Sequence, residues 1–327
     1  MEYTKKWLPL EEQVERLVQR GLTVEDPDRA IRLLESVGYY RMTGYLYPFL
    51  ESAEQTDDEG RRTVQVLNTY RPGTALHHAE AIIDFDRRLR MLVMEGVERI
   101  EVAVRMRIGY VLGRASQFAH ENPAYFDDSF TTANTDSRKP SPSKQVLWLE
   151  QVKQRRDSSD EQFVAHFRDK YDDHMPIWAL TEVLELGQLS GLYRGMLQKD
   201  AEEVATAFSV PHKKMMASWL ASLNYVRNVA AHHARLFNRK LQNAPARPKK
   251  GQVPYLDHLR DPSTPKKGFG TYNALAVIAY MLQSIEAEPS WAPRLAELFR
   301  SFPASHALSV ESIGAPRDWH MLDLWRQ

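Results

Sequence analysis

Residues 82–108 read IIDFDRRLRMLVMEGVERIEVAVRMRI, and this stretch decides the fold class. Its apolar side chains recur at steps of three and four residues, the spacing that places them on one face of an α-helix. The pattern extends from about residue 75 to 113, with Thr74 as the expected N-cap and Gly96 as an expected weak point. Because no convincing strand pair accompanies this long helix, the sequence predicts an all-α fold.

Helical patterns continue on both sides of this stretch, separated by segments rich in polar residues and proline. Four regions are predicted: an N-terminal helical region at 1–60, a helical core at 61–242, a linker at 243–267 and a C-terminal helical segment at 268–327. A polar loop at 131–143 interrupts the core. Further helices are expected at 10–20, 28–37, 144–156, 161–171, 177–198, 200–208 and from Pro211 to about residue 240.

The composition excludes several classes of protein. Cysteine is absent, so disulfides and thiolate metal sites are not available. No apolar run is long enough for a membrane span or a secretory signal, and a cytoplasmic location is therefore expected. The 43 basic and 43 acidic side chains give zero net charge, which argues against a uniformly basic nucleic-acid binder but permits a local basic groove. His77, His78 and His120 lack carboxylate neighbours at ligand spacing, so no metal and no cofactor are expected.

A second decisive stretch, residues 217–240, reads ASWLASLNYVRNVAAHHARLFNRK without glycine or proline. At about 100° per residue, a continuous helix would gather its polar side chains in one arc: Asn224, Arg227, Asn228, His232, Arg235, Asn238 and Arg239. The opposite side would carry Trp219, Leu223, Val226, Ala230 and Phe237. On this wheel His232 belongs to the polar arc, whereas His233 faces the core.

An arginine followed by a histidine after four to six residues is a weak signal by itself. The spacing also occurs at Arg71–His77, Arg114–His120, Arg168–His174 and Arg300–His306. In an arginine-rich chain, about two or three chance matches are expected. Three of these matches span Pro72, two adjacent aspartates or Pro303 and read as loops, so the helical context selects Arg227 and His232.

The residue types in this arc suit RNA cleavage without metal. Histidine can act as general base or general acid near neutral pH, and a guanidinium can clamp phosphate oxygens. We therefore predict Arg227, Asn228 and His232 as catalytic residues, and Asn224, Arg235, Asn238 and Arg239 as RNA-binding residues. One motif supplies one histidine, whereas the reaction needs both a base and an acid. A homodimer that brings two motifs together is expected for this reason.

Four blocks of sequence, in order, resemble the Abi-like family, the abortive infection proteins of the AbiD and AbiF type within the HEPN superfamily. They are LEEQVERLVQRGL (10–22) with YYRMTGYLYPF (39–49), FDRRLRMLVMEGVERIEVAVR (85–105), PIWALTEVLELGQLSGLY (176–193) and LNYVRNVAAHHARLFNR (223–239). The resemblance implies a HEPN-type helical bundle, an RNA substrate, a role in phage defence or a toxin–antitoxin pair, and an RNA or protein antitoxin. Arg227 and His232 match the family's catalytic positions. The role of residues 243–327 stays open.

Two other functions remain open at this point. Residues 10–50 resemble a helix-turn-helix, with Gly21 in the turn and Arg29 and Arg32 on the second helix, which would suit a non-catalytic RNA- or DNA-binding regulator. A HEPN scaffold that binds RNA or a partner protein without cleaving is the other. Tyrosines 39, 40, 45 and 47 are expected to pack in a core, although such rings can also stack on bases.

Overall fold

α-Helices form nearly all the regular structure of the computed structural model, which describes residues 6–56, 62–135, 140–260, 270–288 and 290–326. The all-α prediction is confirmed, with one two-stranded hairpin added to it. In chain order the elements are α1 (Leu10–Gln19), α2 (Pro27–Val37), α3 (Tyr39–Leu46), β1 (Leu50–Thr56), β2 (Arg62–Tyr70), α4 (Leu76–Ala115), α5 (Asp128–Thr131), α6 (Lys144–Asp157), α7 (Gln162–Tyr171), α8 (Ile177–Val183), α9 (Leu186–Gly195), α10 (Gln198–Ala207), α11 (Lys213–Ala231), α12 (Thr271–Ile285) and α13 (Trp291–Arg300). None of the helices in the described part of the chain is long and apolar enough to cross a bilayer.

The chain divides into two compact units. The first comprises Met1–Leu89 with Leu298–Ser312, and the second comprises Arg90–Glu297 with Ile313–Gln327. In the first unit, α1 to α3 bury Leu17, Leu34 and Tyr45. The hydroxyl of Tyr45 donates a 2.5 Å hydrogen bond to Asp86, which is also fully buried. This pair satisfies a carboxylate that would otherwise be costly to bury.

The hairpin of β1 and β2 corrects the expectation of a chain without a strand pair. The strands are antiparallel, with Ser52 opposite Val66 and Gln55 opposite Thr63. Most of their side chains are exposed on both faces, so neither strand shows the alternation of apolar and polar residues that marks a half-buried strand. The predicted N-terminal helical region, 1–60, thus contains a strand. Residues 57–61 lie outside the described part of the chain.

The long helix α4 is found where the apolar periodicity predicts it. Two details of the prediction are wrong: the N-cap role of Thr74 and the weak point at Gly96. The hydroxyl of Thr74 donates to the carbonyl of Arg71 instead of capping α4, and Nδ1 of His78 accepts the amide of Ala75 at 3.0 Å. Gly96 is a point of close packing and not a weak point. A β-carbon there would lie 2.7 Å from side-chain atoms of both Ile278 and Trp291.

In the second unit, the predicted helix at 177–198 is divided into α8 and α9. Leu184 leaves the helical conformation, and Glu185 then begins α9 in a reciprocal capping box with Gln188. Arg105 of α4 donates a hydrogen bond to the carbonyl of Leu184 and is paired with Glu101 at 2.5 Å. The break between the two helices is therefore held by an arginine of the long helix.

Residues 243–260, predicted as part of a linker, pack against α11. The indole of Trp219 donates to the carbonyl of Ala246 at 2.8 Å, and the amide of Ala246 donates to Ser218 at 2.9 Å. Leu256 and Leu259, in a short 3₁₀ helix at Pro254–Arg260, are fully buried. This part of the chain thus contributes to the core, while residues 261–267 of the predicted linker lie outside the described residues.

Candidate functional site

Helix α11 carries the sequence-predicted motif on a well-anchored scaffold. It begins after His212, whose Nδ1 accepts the amide of Met215 at 3.2 Å and acts as an N-cap. Its apolar side packs against α9, α10 and α12. The predicted core positions Trp219, Leu223, Val226 and Ala230 are all buried, as the helical wheel requires.

The helix ends at Ala231, about nine residues before the predicted end. The amide of His233 donates to the carbonyl of Ala230, and the amide of Ala234 donates to that of Val229, both at 3.0 Å. This pair of hydrogen bonds is a Schellman motif, which satisfies carbonyl groups at the end of a helix. His233 occupies its left-handed position with φ of 56°, a place where glycine is the usual residue. Because the sequence has no glycine at this position, its pattern predicts a helix that continues past the residue at which the helix ends.

The three predicted catalytic residues lie at this end of the helix. Arg227 and Asn228 are half-buried on the last turns, and Nη1 of Arg227 donates to Oδ1 of Asn228 at 3.1 Å. His232 is the C-cap residue, and its side chain is exposed. The geometry thus offers a fixed cation with an amide beside it, followed by a solvent-accessible imidazole.

The prediction that His233 faces the core is wrong. Its side chain is exposed, because the backbone has already left the helix when it reaches this residue. The helical wheel assigned opposite environments to His232 and His233, whereas both imidazoles are accessible at the cap.

The four predicted RNA-binding residues do not share one helical face. Asn224 is half-buried on α11, where a β-carbon on Gly187 would lie 3.4 Å from its amide group. Arg235, Asn238 and Arg239 follow the helix in an irregular segment, and Asn238 is exposed with φ of 47°. The predicted polar arc therefore ends at the cap, and only its first half is helical.

Tyr225 is a residue of this site that sequence reasoning missed. Its hydroxyl accepts a hydrogen bond from Nε of Arg239 at 3.1 Å, and Nη1 of the same arginine donates to the carbonyl of Arg235 at 3.2 Å. These bonds tie the segment after the cap back to α11. A tyrosine two residues before the motif arginine gives no sequence signal of that role, because its partner depends on how the chain turns after residue 231.

Among the residues that the structure describes, no group of three or more histidine, aspartate or glutamate side chains is arranged to hold a metal ion.

The structure also shows the partners of the two arginines in the helix-turn-helix-like region. Arg29 of α2 forms a two-point ion pair with Glu80 at 2.7 and 2.8 Å, and Arg32 lies 3.8 Å from Asp26. Both arginines of the supposed recognition helix are therefore engaged by carboxylates within the protein.

Comparison with known proteins gives one family and no individual relative. No curated protein and no solved structure matches the chain. The model of the Abi-like protein family matches residues 32–238, which run from the middle of α2 to the segment after the α11 cap and make up more than half of the chain. With that coverage, the chain belongs to the Abi-like protein family.

Proposed function

We propose that this protein is a metal-independent endoribonuclease of abortive infection, with its chemistry at the C-terminal end of α11. Membership of the Abi-like family indicates a role in abortive infection. One observation supports catalysis: Arg227, Asn228 and an exposed His232 lie together at the end of one helix, where RNA can reach them. We further assign the chain to the AbiD and AbiF type within the HEPN superfamily.

The reaction that suits these residues is an in-line transfer within the RNA. The ribose 2′-oxygen attacks the neighbouring phosphorus, the bond from phosphorus to the 5′-oxygen breaks, and a 2′,3′-cyclic phosphate and a 5′-hydroxyl are left. The 2′-hydroxyl proton goes to a base, and an acid protonates the leaving 5′-oxygen. His232 suits either task. The guanidinium of Arg227, held by Asn228, is suited to stabilise the charge that develops on the phosphorane oxygens.

Two copies of the chain would complete this reaction. Each copy contributes one His232, and base and acid must stand on opposite sides of the phosphorus. A symmetric dimer would place two caps around one RNA strand, with Arg227 from both subunits in the same cleft. His232, His233 and Asn238 are all exposed at this end of α11, which leaves the surface accessible to a second copy.

In the cell, such an enzyme would act as a toxin whose activity must be restrained. We propose that it works in the cytoplasm, as one partner of a toxin–antitoxin pair with an RNA or protein antitoxin. A regulator that uses α2 to read nucleic acid without cleavage is the other candidate. The ion pairs of Arg29 and Arg32 argue against it, because a recognition helix needs its cations available for phosphates and bases.

The central experiment incubates the purified protein with RNA in EDTA and identifies the ends of the products. We expect 2′,3′-cyclic phosphate and 5′-hydroxyl ends, and a loss of at least about 100-fold in rate for His232→Ala. His233→Gly is the matched control, since it replaces the adjacent exposed imidazole with the residue that its backbone conformation favours. Strict dependence on a divalent metal with 5′-phosphate products, or full activity of His232→Ala, would overturn the proposal.

Shared catalysis is tested by mixing subunits. When His232→Ala chains exchange with unaltered chains, activity is expected to fall with the square of the unaltered fraction, because a mixed dimer holds only one His232 and therefore lacks either the base or the acid. Light scattering at the assay concentration reports the oligomeric state. A fully active monomer would show that one chain suffices.

A further inference from the structure

Two adjoining surface pockets lie in the N-terminal unit, away from the α11 motif in sequence. One has a volume of about 370 Å³ and the other about 320 Å³, within the range of small-ligand sites. Arg16, Tyr39 and Tyr40 line both pockets, so the two form one continuous groove along α1 and α3. We call it the tyrosine groove.

Aromatic rings are exposed along this groove without a structural need. Tyr40 and Tyr47 are 75% and 54% exposed, and Trp7 at one end is 84% exposed. Tyr45 comes from the same segment, yet it is fully buried and its hydroxyl donates a hydrogen bond to Asp86. The aromatic ring that this segment contributes to the core is therefore Tyr45, and the core does not need Tyr40 or Tyr47. Large aromatic surface left in contact with water is unfavourable, and a cluster of it marks a binding surface. The sequence expectation that these tyrosines pack in a core therefore holds for Tyr45 and is wrong for Tyr40 and Tyr47.

The spacing of the two exposed tyrosines suits a chain of bases. Tyr47 follows Tyr40 by seven positions, which is about two helical turns and places both rings on the same side of α3 and the 3₁₀ turn that continues it. The separation along the axis is about 10 Å, comparable to about three base steps of 3.4 Å. Two rings at that interval can each take the face of a base in the same strand.

Arg16 and Arg20 line the groove next to the aromatic rings, and the guanidinium of Arg20 is fixed by hydrogen bonds. Nε of Arg20 donates to the carbonyl of Asn68 at 2.9 Å, Nη1 donates to the hydroxyl of Tyr39 at 3.3 Å, and the guanidinium lies 4.8 Å from the centre of the Tyr70 ring. None of these partners is acidic, so the positive charge is positioned but not neutralised.

The charged side chains that line the described part of the groove are all basic. Among the described residues, neither Arg16 nor Arg20 has a carboxylate within 4 Å, in contrast to Arg29 and its two-point pair with Glu80. The described residues that line the two pockets include no aspartate and no glutamate. A fixed guanidinium with no internal counter-ion is suited to a phosphate.

We propose that the tyrosine groove binds single-stranded nucleic acid, with bases stacked on Tyr40 and Tyr47 and backbone phosphates at Arg16 and Arg20. A single strand fits because its base faces are open for stacking, whereas those of a duplex are already stacked on each other. This binding does not depend on cleavage at α11. The groove would hold a strand whether or not His232 is catalytic.

Binding is measured on the full chain carrying His232→Ala, so that cleavage cannot remove the probe. The probes are fluorescently labelled 12-nucleotide oligo(U) and oligo(dT), and the readout is anisotropy. Replacing both Tyr40 and Tyr47 by alanine should weaken binding at least about 10-fold, because each stacked base contributes substantially to affinity. Phenylalanine at both positions should keep most of the affinity, since the ring face remains. Tyr110→Ala, on an exposed tyrosine of α4, should change nothing.

The cations are tested by the salt dependence of the same binding. Arg16→Ala should reduce the slope of log affinity against log salt by about 0.7, the value for one phosphate contact on a single strand. Arg32→Ala, which removes an exposed arginine 3.8 Å from Asp26, should leave that slope unchanged.

The two probes distinguish the kind of strand. Equal binding of both would assign recognition to bases and phosphates, and preference for oligo(U) would add contacts to the 2′-hydroxyl; either result supports the groove. Unchanged affinity of the double alanine variant, with a melting temperature equal to that of the parent, would overturn the proposal. So would weakened binding in the phenylalanine variant equal to that in the alanine variant, because stacking would then not be the cause.

Discussion

Replacing Gly96 by alanine tests whether the C-terminal helices are part of the folded core. A β-carbon at this position would lie 2.7 Å from Cγ2 of Ile278 on α12 and 2.7 Å from Nε1 of Trp291 on α13. The same indole nitrogen donates a 2.7 Å hydrogen bond to the carbonyl of Leu92, and the Trp291 side chain is fully buried. Added volume must therefore displace a helix or break this hydrogen bond.

The size of the effect follows from three contributions. Overpacking a well-filled core costs about 1–3 kcal/mol, and loss of the buried hydrogen bond of Trp291 adds about 1 kcal/mol. The higher helix propensity of alanine returns about 1 kcal/mol. The net change in the free energy of unfolding is a loss of about 1–3 kcal/mol, which corresponds to a decrease of about 1–5 °C in the melting temperature of a chain of this length.

The measurement is urea and thermal unfolding of Gly96→Ala beside Gly44→Ala. Gly44 is also helical, but a β-carbon there meets no atom within 4 Å, so alanine should stabilise that helix by up to about 1 kcal/mol. Opposite signs for the two variants are expected. If Gly96→Ala were as stable as the parent protein, α12 and α13 would not be seated on α4 as described, and the segment beyond the family match would be an appendage.

Three further predictions concern the second unit. Burial lowers the pKa of His120 and His258 to about 4, while the unfolded chain titrates near 6.5, so the unfolded state binds more protons between these values. Stability should therefore fall as the pH drops from about 6.5 to 4, by on the order of 3 kcal/mol for each histidine; urea midpoints that stay constant across this range would contradict it. His233→Gly should raise the free energy of unfolding by about 0.5–1 kcal/mol, because glycine adopts the left-handed conformation at lower cost, and an unchanged or lower value would argue against the cap. A chain ending at residue 242 should fail to unfold cooperatively, because it lacks the almost wholly buried α12; a sharp transition by circular dichroism would show that the core folds without it.

Apolar periodicity was sufficient to place the long helix, whereas the hairpin has no apolar periodicity by which the sequence could place it. The apolar repeat predicted α4 within two residues at each end, since a buried stripe three and four residues apart leaves few alternatives. The strands β1 and β2 carry no such stripe. Most of their side chains are exposed on both faces of the hairpin. The backbone hydrogen bonds that join the strands do not require any particular pattern of side chains, so the sequence does not reveal them.

The sequence and the structure both place Arg227 and Asn228 on α11, but the surroundings of His232 were not predictable from the sequence. Buried and half-buried positions up to Ala231 follow the helical wheel. Beyond this residue the wheel fails, because a histidine and not a glycine takes the left-handed cap position. Helix propensity depends only on the type of each residue. The end of this helix depends instead on which backbone amides donate to the carbonyl groups of Val229 and Ala230.

The cap at the end of α11 also bears on how much the motif can vary in length. Four residues between the motif arginine and a histidine place the imidazole at the cap residue, as for Arg227 and His232. Five residues place it at the left-handed position, where His233 lies, and six place it at Ala234. Inside a helix, each added residue would turn the side chain by about 100°, and two insertions would carry it to the other side. A spacing of four to six residues after Arg227 therefore covers residues 232 to 234, all of which lie beyond the helical turns that bury Val226 and Ala230.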